Sequence, residues 1–212
     1  MTRLDAVISL IVDADTIADV GCDHGLVARY CALSNRFKTV IASDISEKCL
    51  DKARHALNGI KCVSFAVCDG IGYDCDEAVI AGMGGLTVCG ILDAAAESGR
   101  LPKTLVLLPH RDADAVRRKL TELGYAIQKD FIVKERGKFY SAMRAEVGEV
   151  KQLSELQYLF GINVGDGNPV LTEYLIKLYN TYAVAPSHNA VKLDLIRQAL
   201  NMQGVNDIKN RE

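Results

Sequence analysis

Five short apolar runs between residues 16 and 108 constrain this chain more than any other feature: Thr16–Val20, Lys38–Ser43, Val63–Val67, Glu77–Ala81 and Thr104–Leu108. They are too short for core helices, and they lack the polar alternation of strands with one wet face. Runs of this kind, separated for the most part by stretches of helical periodicity, describe a parallel sheet covered on both faces. Helices are expected over 26–34, 46–57, 86–97 and 112–123, with Ser46 capping the second and Asn58-Gly59 closing it. A short amphipathic helix over 3–12 precedes the first strand. Residues 124–134 and 138–146 alternate around Arg136-Gly137 and read as an antiparallel hairpin at one edge of the sheet. The expected fold is α/β and doubly wound, and such sheets bind ligands beyond the carboxyl ends of their strands. Those ends carry Asp19 and Gly21, Asp44, Asp69 and Gly70, Gly82 to Gly85, and Pro109-His110.

Beyond Gly148 the pattern changes. Three helical stripes follow, broken at Gly165-Asp166-Gly167-Asn168-Pro169 and at Pro186, so residues 1–148 are expected to form the α/β domain and 149–212 a small all-helical one. The 212 residues are 49% hydrophobic and 25% charged, which excludes a disordered chain. No apolar run approaches the roughly 20 residues that span a bilayer, and no signal peptide is visible. Seven cysteines without a C-x-x-C pair exclude both a disulfide framework and a structural zinc site, so no metal is expected and a reducing cytoplasm fits. The net charge of −2 is unevenly spread: residues 1–99 hold 8 Lys/Arg against 14 Asp/Glu, and residues 100–144 hold 11 against 5. That basic block is either a phosphate-contacting surface or a solvated charged face.

Asp19-Val20-Gly21-Cys22-Asp23-His24-Gly25 follows the first strand as a nucleotide-binding loop would, with glycines for the turn and for close approach of a ligand. Asp44, at the end of the second strand, can accept both ribose hydroxyls of an adenosine cofactor or cap the next helix. Asp69-Gly70 suits an adenine amino group or forms a plain turn. The loop chemistry separates the possible cofactors. A dinucleotide places its pyrophosphate on the helix N-terminus, where Asp23 would repel it. S-adenosylmethionine brings a sulfonium and an ammonium instead, and Asp19 and Asp23 match that charge.

The Asp-Val-Gly-Cys-Asp-His-Gly run, Ser43-Asp44-Ile45, Asp69-Gly70 and Ile80-Ala81-Gly82-Met83-Gly84-Gly85 together resemble the bacterial TrmK family of tRNA (adenine-22-N1)-methyltransferases. The resemblance implies a Rossmann-like class I methyltransferase with a mostly parallel seven-stranded sheet and a helical, coiled-coil-like second domain. It also implies S-adenosylmethionine as cofactor, tRNA as partner and adenine N1 as methyl acceptor. Cofactor contacts are then expected from Asp19, Gly21, Asp23, Asp44, Ile45, Asp69, Gly70 and Gly82. Two departures concern the substrate side: Leu108-Pro109-His110 stands where the family commonly has Gln-Pro followed by Asn or Met, and the C-terminal helices are shorter and less charged.

Adenine N1 has an in-plane lone pair and needs no deprotonation, which agrees with a Gly82–Gly85 segment lacking the polar group that exocyclic-amine methylases place there. Asp23 is the candidate to stabilise positive charge as it appears on the ring. His24 either orients the base or moves a proton, or only hydrogen-bonds the loop. His110 reads as a helix cap or a solvated side chain. Arg111, Arg117, Arg118, Lys134, Arg136 and Lys138 are the candidate phosphate contacts. Tyr140 is either a base-stacking residue or an ordinary sheet tyrosine. Rival readings are a methyltransferase of another RNA or a small molecule, a nicotinamide-dependent oxidoreductase, and a non-catalytic RNA-binding module. No membrane association and no obligate protein partner are expected.

Overall fold

The computed structural model describes residues 1–205. Helix α1 (Arg3–Leu10) leads into β1 (Thr16–Val20), α2 (Leu26–Leu33), β2 (Thr39–Asp44), α3 (Glu47–Ala56) and β3 (Val63–Val67). Then come β4 (Glu77–Ala81), α4 (Gly85–Glu97), β5 (Thr104–Leu108) and α5 (Ala113–Glu122). The hairpin β6 (Tyr125–Glu135) and β7 (Lys138–Val147) completes one sheet in the order β3-β2-β1-β4-β5-β7-β6. The first five strands pair in parallel, and β7 lies antiparallel between β5 and β6. Reversal of strand order between β1 and β4 opens a crevice at their carboxyl ends.

Uniformly apolar strands bury both faces, and each face has its own core. Ile17, Val40, Val79 and Val106 pack against α1, α2 and α3, whereas Ala18, Ile80, Leu105 and Leu107 pack against α4 and α5. The exception is β3, which lies at the sheet edge and exposes Ser64 and Val67. Three helices follow the sheet: α6 (Glu155–Phe160), α7 (Pro169–Ala183) and α8 (Ala190–Met202). Asn168 starts α7 by accepting the Val170 and Leu171 amides on its side chain, with Pro169 at the first helical position, where its missing N–H costs nothing. Leu171, Leu175, Ile196, Ala199 and Leu200 form a small core of their own, against which Ile132 of β6 also packs. The helical segment expected over 149–212 is thus helical as far as it is described; residues 206–212 lie outside the described residues.

The basic block divides in two. Arg117, expected from the sequence to contact phosphate, cannot do so: its side chain is 2% exposed. Its Nε and Nη2 donate to the two Asp130 carboxylate oxygens at 2.7 and 3.0 Å, and Nη1 donates to the Tyr158 carbonyl at 2.9 Å. Asp130 Oδ2 also accepts the Ile162 amide at 3.0 Å. Arg117 is therefore a staple that holds α6 and the segment after it against α5 and β6.

Candidate functional site

The segment after β1 makes three left-handed residues in five: Gly21 (φ +71), Asp23 (φ +40) and Gly25 (φ +65). Glycine takes that conformation without strain, and Asp is among the few other residues that visit it. Gly21 and Cys22 both donate their amides to the Ser43 carbonyl at 2.8 and 2.9 Å, which ties the loop to the end of β2. Asp19 Oδ2 accepts the Ala28 amide at 2.9 Å and so caps the first turn of α2 from within the sheet. Asp44 Oδ1 accepts the Ser46 amide at 2.9 Å, and Oδ2 accepts the Asp23 amide at a looser 3.3 Å. Asp44 thus turns the chain into α3, and its remaining lone pairs stay available.

These residues open on a cleft of about 440 Å³ lined by Asp19, Gly21, Asp23, His24, Ala81 and Gly82. Burial and the nearby charge of Asp44 push the Asp19 carboxyl up to about 6, although the Ala28 amide pulls it down. No cation is among the groups that set it. A buried carboxylate whose titration is set by no neighbouring cation fits a ligand that carries an ammonium. Ile45 is 67% exposed and Leu26 56%, giving the rim of the same sheet edge apolar surface against which a planar ring can pack. Gly70 holds a left-handed turn at φ +81, and Asp69 beside it is exposed. Within the cleft the fit to S-adenosylmethionine rests on Asp19, Gly21 and Gly82. Asp44, Ile45, Asp69 and Gly70 stand along the adjoining strand ends.

Asp23 and His24 sit less deeply. Asp23 Oδ1 binds Lys52 Nζ of α3 at 2.8 Å and Oδ2 lies 3.5 Å from His24 Nε2, with both side chains at least half exposed. The hydrogen bond from Lys52 holds the Asp23 carboxyl below its usual range. Asp23 is thus a charged group already partnered on one side.

Apart from Arg136, the far wall was not legible in the sequence. Arg3, Leu4 and Val7 of α1 line the cleft, with Glu135 and Arg136 from the tip of the hairpin. Arg3 is fixed there because Glu135 accepts its backbone amide at 3.1 Å and its Nε at 2.7 Å, a contact across 132 residues. The Gly82–Gly85 segment lies against the loop after β5: Gly82 donates to the Leu108 carbonyl, His110 to that of Met83 and Gly85 to that of Arg111. A Cβ on Gly85 would stand 2.3 Å from the Asp112 carbonyl oxygen, so only glycine permits this approach. Met83 lies over Gly21, its terminal methyl filling the space a Cβ would take.

Arg3, Glu135 and Arg136 also line a second cavity, a groove of about 600 Å³ between the hairpin and α7. Lys138, Tyr140, Phe139, Tyr174 and Lys177 complete it. Lys134 and Lys177 lie over the Phe139 ring at 5.8 and 5.6 Å, and Lys134 also pairs with Glu173. The remaining expected basic residues lie to the side of the groove. Arg118 is partly exposed, pairs with Glu155 at 2.6 Å and stacks on Tyr158; Arg111 is 80% exposed beside Gly84.

Comparison with known proteins gives consistent findings. Residues 1–143 match the family model described as a methyltransferase domain. A Mycoplasma pneumoniae protein proposed to be a tRNA methyltransferase is 29% identical over 191 residues, 84% of this chain and 86% of that one. The Bacillus subtilis tRNA (adenine(22)-N(1))-methyltransferase is 29% identical over 154 residues, 69% of this chain and 65% of that protein. Among solved structures, that of Streptococcus pneumoniae Sp1610 superposes with a TM-score of 0.87 at 25% identity, covering 93% of this chain and 98% of that one. That protein, proposed to be a tRNA (m1A22) methyltransferase, was crystallised with S-adenosyl-L-methionine.

Proposed function

The chain belongs to the methyltransferase-domain family, and from that premise we propose that it transfers the methyl group of S-adenosylmethionine to N1 of adenine 22 in tRNA. One observation carries the reading: a carboxylate-lined cleft opens, through the shared residues Arg3, Glu135 and Arg136, onto a groove of cations and aromatic rings. The first surface suits a cationic cofactor, and the second suits a phosphate backbone with unstacked bases.

Bound S-adenosylmethionine supplies an electrophilic methyl group, which the N1 lone pair takes while the electrons of the broken carbon–sulfur bond stay on sulfur. The residues of this chain provide position and charge. Asp19 holds the ammonium end. Asp44 accepts the ribose hydroxyls, while Asp69, Gly70 and Ile45 frame the adenine. Gly82, bare of a side chain, lets the reacting centres approach between β1 and β4, while Gly21 turns the loop beneath the Met83 methyl. No proton has to leave N1 first, so in-line placement carries most of the rate. Asp23 and His24 stand at the entrance, where Asp23 offsets the positive charge passing to the base. Lys134, Arg136, Lys138, Tyr140 and Lys177 hold the RNA, with Arg111 and Arg118 reaching flanking phosphates. Residues 1–148 form the transfer unit, α7 of the helical segment supplies the far wall of the groove, and the enzyme works in the cytoplasm where tRNA matures. Target N1 lies on the pairing edge of the base, so the adenine has to leave its stack to reach the cleft.

The test is a nucleoside digest of tRNA lacking the modification after incubation with enzyme and cofactor. N1-methyladenosine should appear at position 22, and Asp44→Ala should abolish it together with cofactor binding. Tight cofactor binding without any methylated tRNA would refute the reading.

A further inference from the structure

Class I enzymes that act on bases need a surface for the extruded ring, and the Gly82–Gly85 segment has no aromatic side chain to offer. A ring stands beside that segment on the loop after β5. A Cβ placed on Gly82 would lie 3.9 Å from His110 Nε2, so the imidazole stands at the edge of the cleft. Its backbone amide is pinned to the Met83 carbonyl at 2.7 Å. Arg3 Nη1 lies 3.1 Å from His110 Nε2, and a guanidinium can only donate, so Nε2 accepts and the proton of the neutral ring sits on Nδ1. Tyr140 meets the imidazole edge-on with centroids 5.7 Å apart, and the Arg3 guanidinium lies 4.9 Å from the Tyr140 ring centre.

We propose that His110 receives the target adenine, as a neutral imidazole held in place by Arg3 and Tyr140, at the passage from the RNA groove to the methyl-transfer cleft. The assignment rests on the reading of the substrate as an adenine in RNA. Place and chemistry support it. His110 and Arg3 both line the groove, Arg3 and Gly82 both line the cleft, and His110 itself is exposed. A base leaving the groove meets this ring before it reaches Gly82. The methylated adenine is a cation, so an imidazolium beside it would oppose the reaction, whereas a neutral ring stacks on it without that cost. The surroundings favour the neutral form: partial burial of the ring, and then the Arg3 and Lys138 cations, lower the His110 pKa from its usual value. Arg3 acts through His110 and is a positioning residue.

Single-turnover methylation of unmodified tRNA by the full chain tests this. His110→Ala should slow the transfer step about 5- to 150-fold, the equivalent of one lost base-stacking contact, while the Kd values for tRNA and for S-adenosylmethionine stay within about twofold. His110→Phe should recover most of the rate, because it restores a ring and remains neutral. Arg3→Met should slow the same step, and the double variant Arg3→Met/His110→Ala should be no slower than His110→Ala alone. The proposal is overturned if His110→Ala transfers at the wild-type rate, if its loss lies in tRNA affinity alone, or if His110→Phe is as slow as His110→Ala. Additive effects in the double variant remove Arg3 from the assignment. A wild-type protein that makes no N1-methyladenosine refutes the function itself, a different result from any of these.

Discussion

Replacing Arg117 by Met should destabilise the whole protein without acting as the loss of an RNA contact. The arginine and Asp130 are 2% and 1% exposed, and their bidentate pair is completed by Ser141 Oγ at 3.1 Å and the Tyr158 carbonyl at 2.9 Å. Methionine fills most of the volume but leaves the Asp130 carboxylate buried with the Ile162 amide as its remaining close donor. Removing one partner of a buried ion pair costs about 3–5 kcal/mol, because the other charge is stranded away from water. For a chain of this size that lowers Tm by about 6–20 °C. Adding Asp130→Leu removes the stranded charge, so the double variant should recover part of the loss; a double-mutant cycle followed by circular dichroism measures it. A loss below about 1 kcal/mol at Arg117→Met would refute the reasoning. So would an unchanged Tm accompanied by weaker tRNA binding, because both are the behaviour of a solvent-exposed phosphate contact.

With the Asp19 carboxyl pushed up to about 6 by burial, the role proposed for it toward the cofactor carries a pH limit. Calorimetry should show S-adenosylmethionine binding weakening by about tenfold per pH unit below that value, as protonation removes the counter-charge for the ammonium, and Asp19→Asn should flatten the dependence. Glu77 is fully buried with one carboxylate oxygen unpartnered, and burial raises it from its ordinary 4.5 to about 7. Between those values the folded chain keeps a proton that the unfolded chain gives up, so stability should fall as pH rises from about 4.5 to 7. Glu77→Gln should make urea midpoints less dependent on pH across that window, and an unchanged slope would count against the assignment. Lys138→Ala and Lys177→Ala, on either side of the groove, should each reduce the slope of log K for tRNA against log salt by about 0.7–0.9. Filter binding at several salt concentrations reads this, and equal slopes would place the RNA elsewhere.

Much of the fold was written locally. A run such as Val40-Ile41-Ala42 is satisfied only between two layers, and the turn after it must leave at the carboxyl end, so the sheet, its parallel sense and the position of Asp44 follow from neighbours in sequence. The same holds for the carboxylate-bearing loop, since Gly21, Asp23 and Gly25 make a turn that their own residue types permit. Insertion of β7 between β5 and β6 was not determined in this way, because a hairpin can add to an edge through either strand. Nor were the groups that complete the site. Arginine reads alike in sequence whether it meets phosphate, as expected of Arg117, or a buried carboxylate, as Asp130 provides. Arg3 meets Glu135 and His110 across more than a hundred residues, and nothing near Arg3 in the chain encodes either partner. Local sequence determined the backbone seat for the cofactor, since turn conformation and strand burial are short-range properties. The far wall, the groove beside it and the ring beside Gly82 were assembled by tertiary packing, because a charge acquires its role only from the group that packing places opposite it.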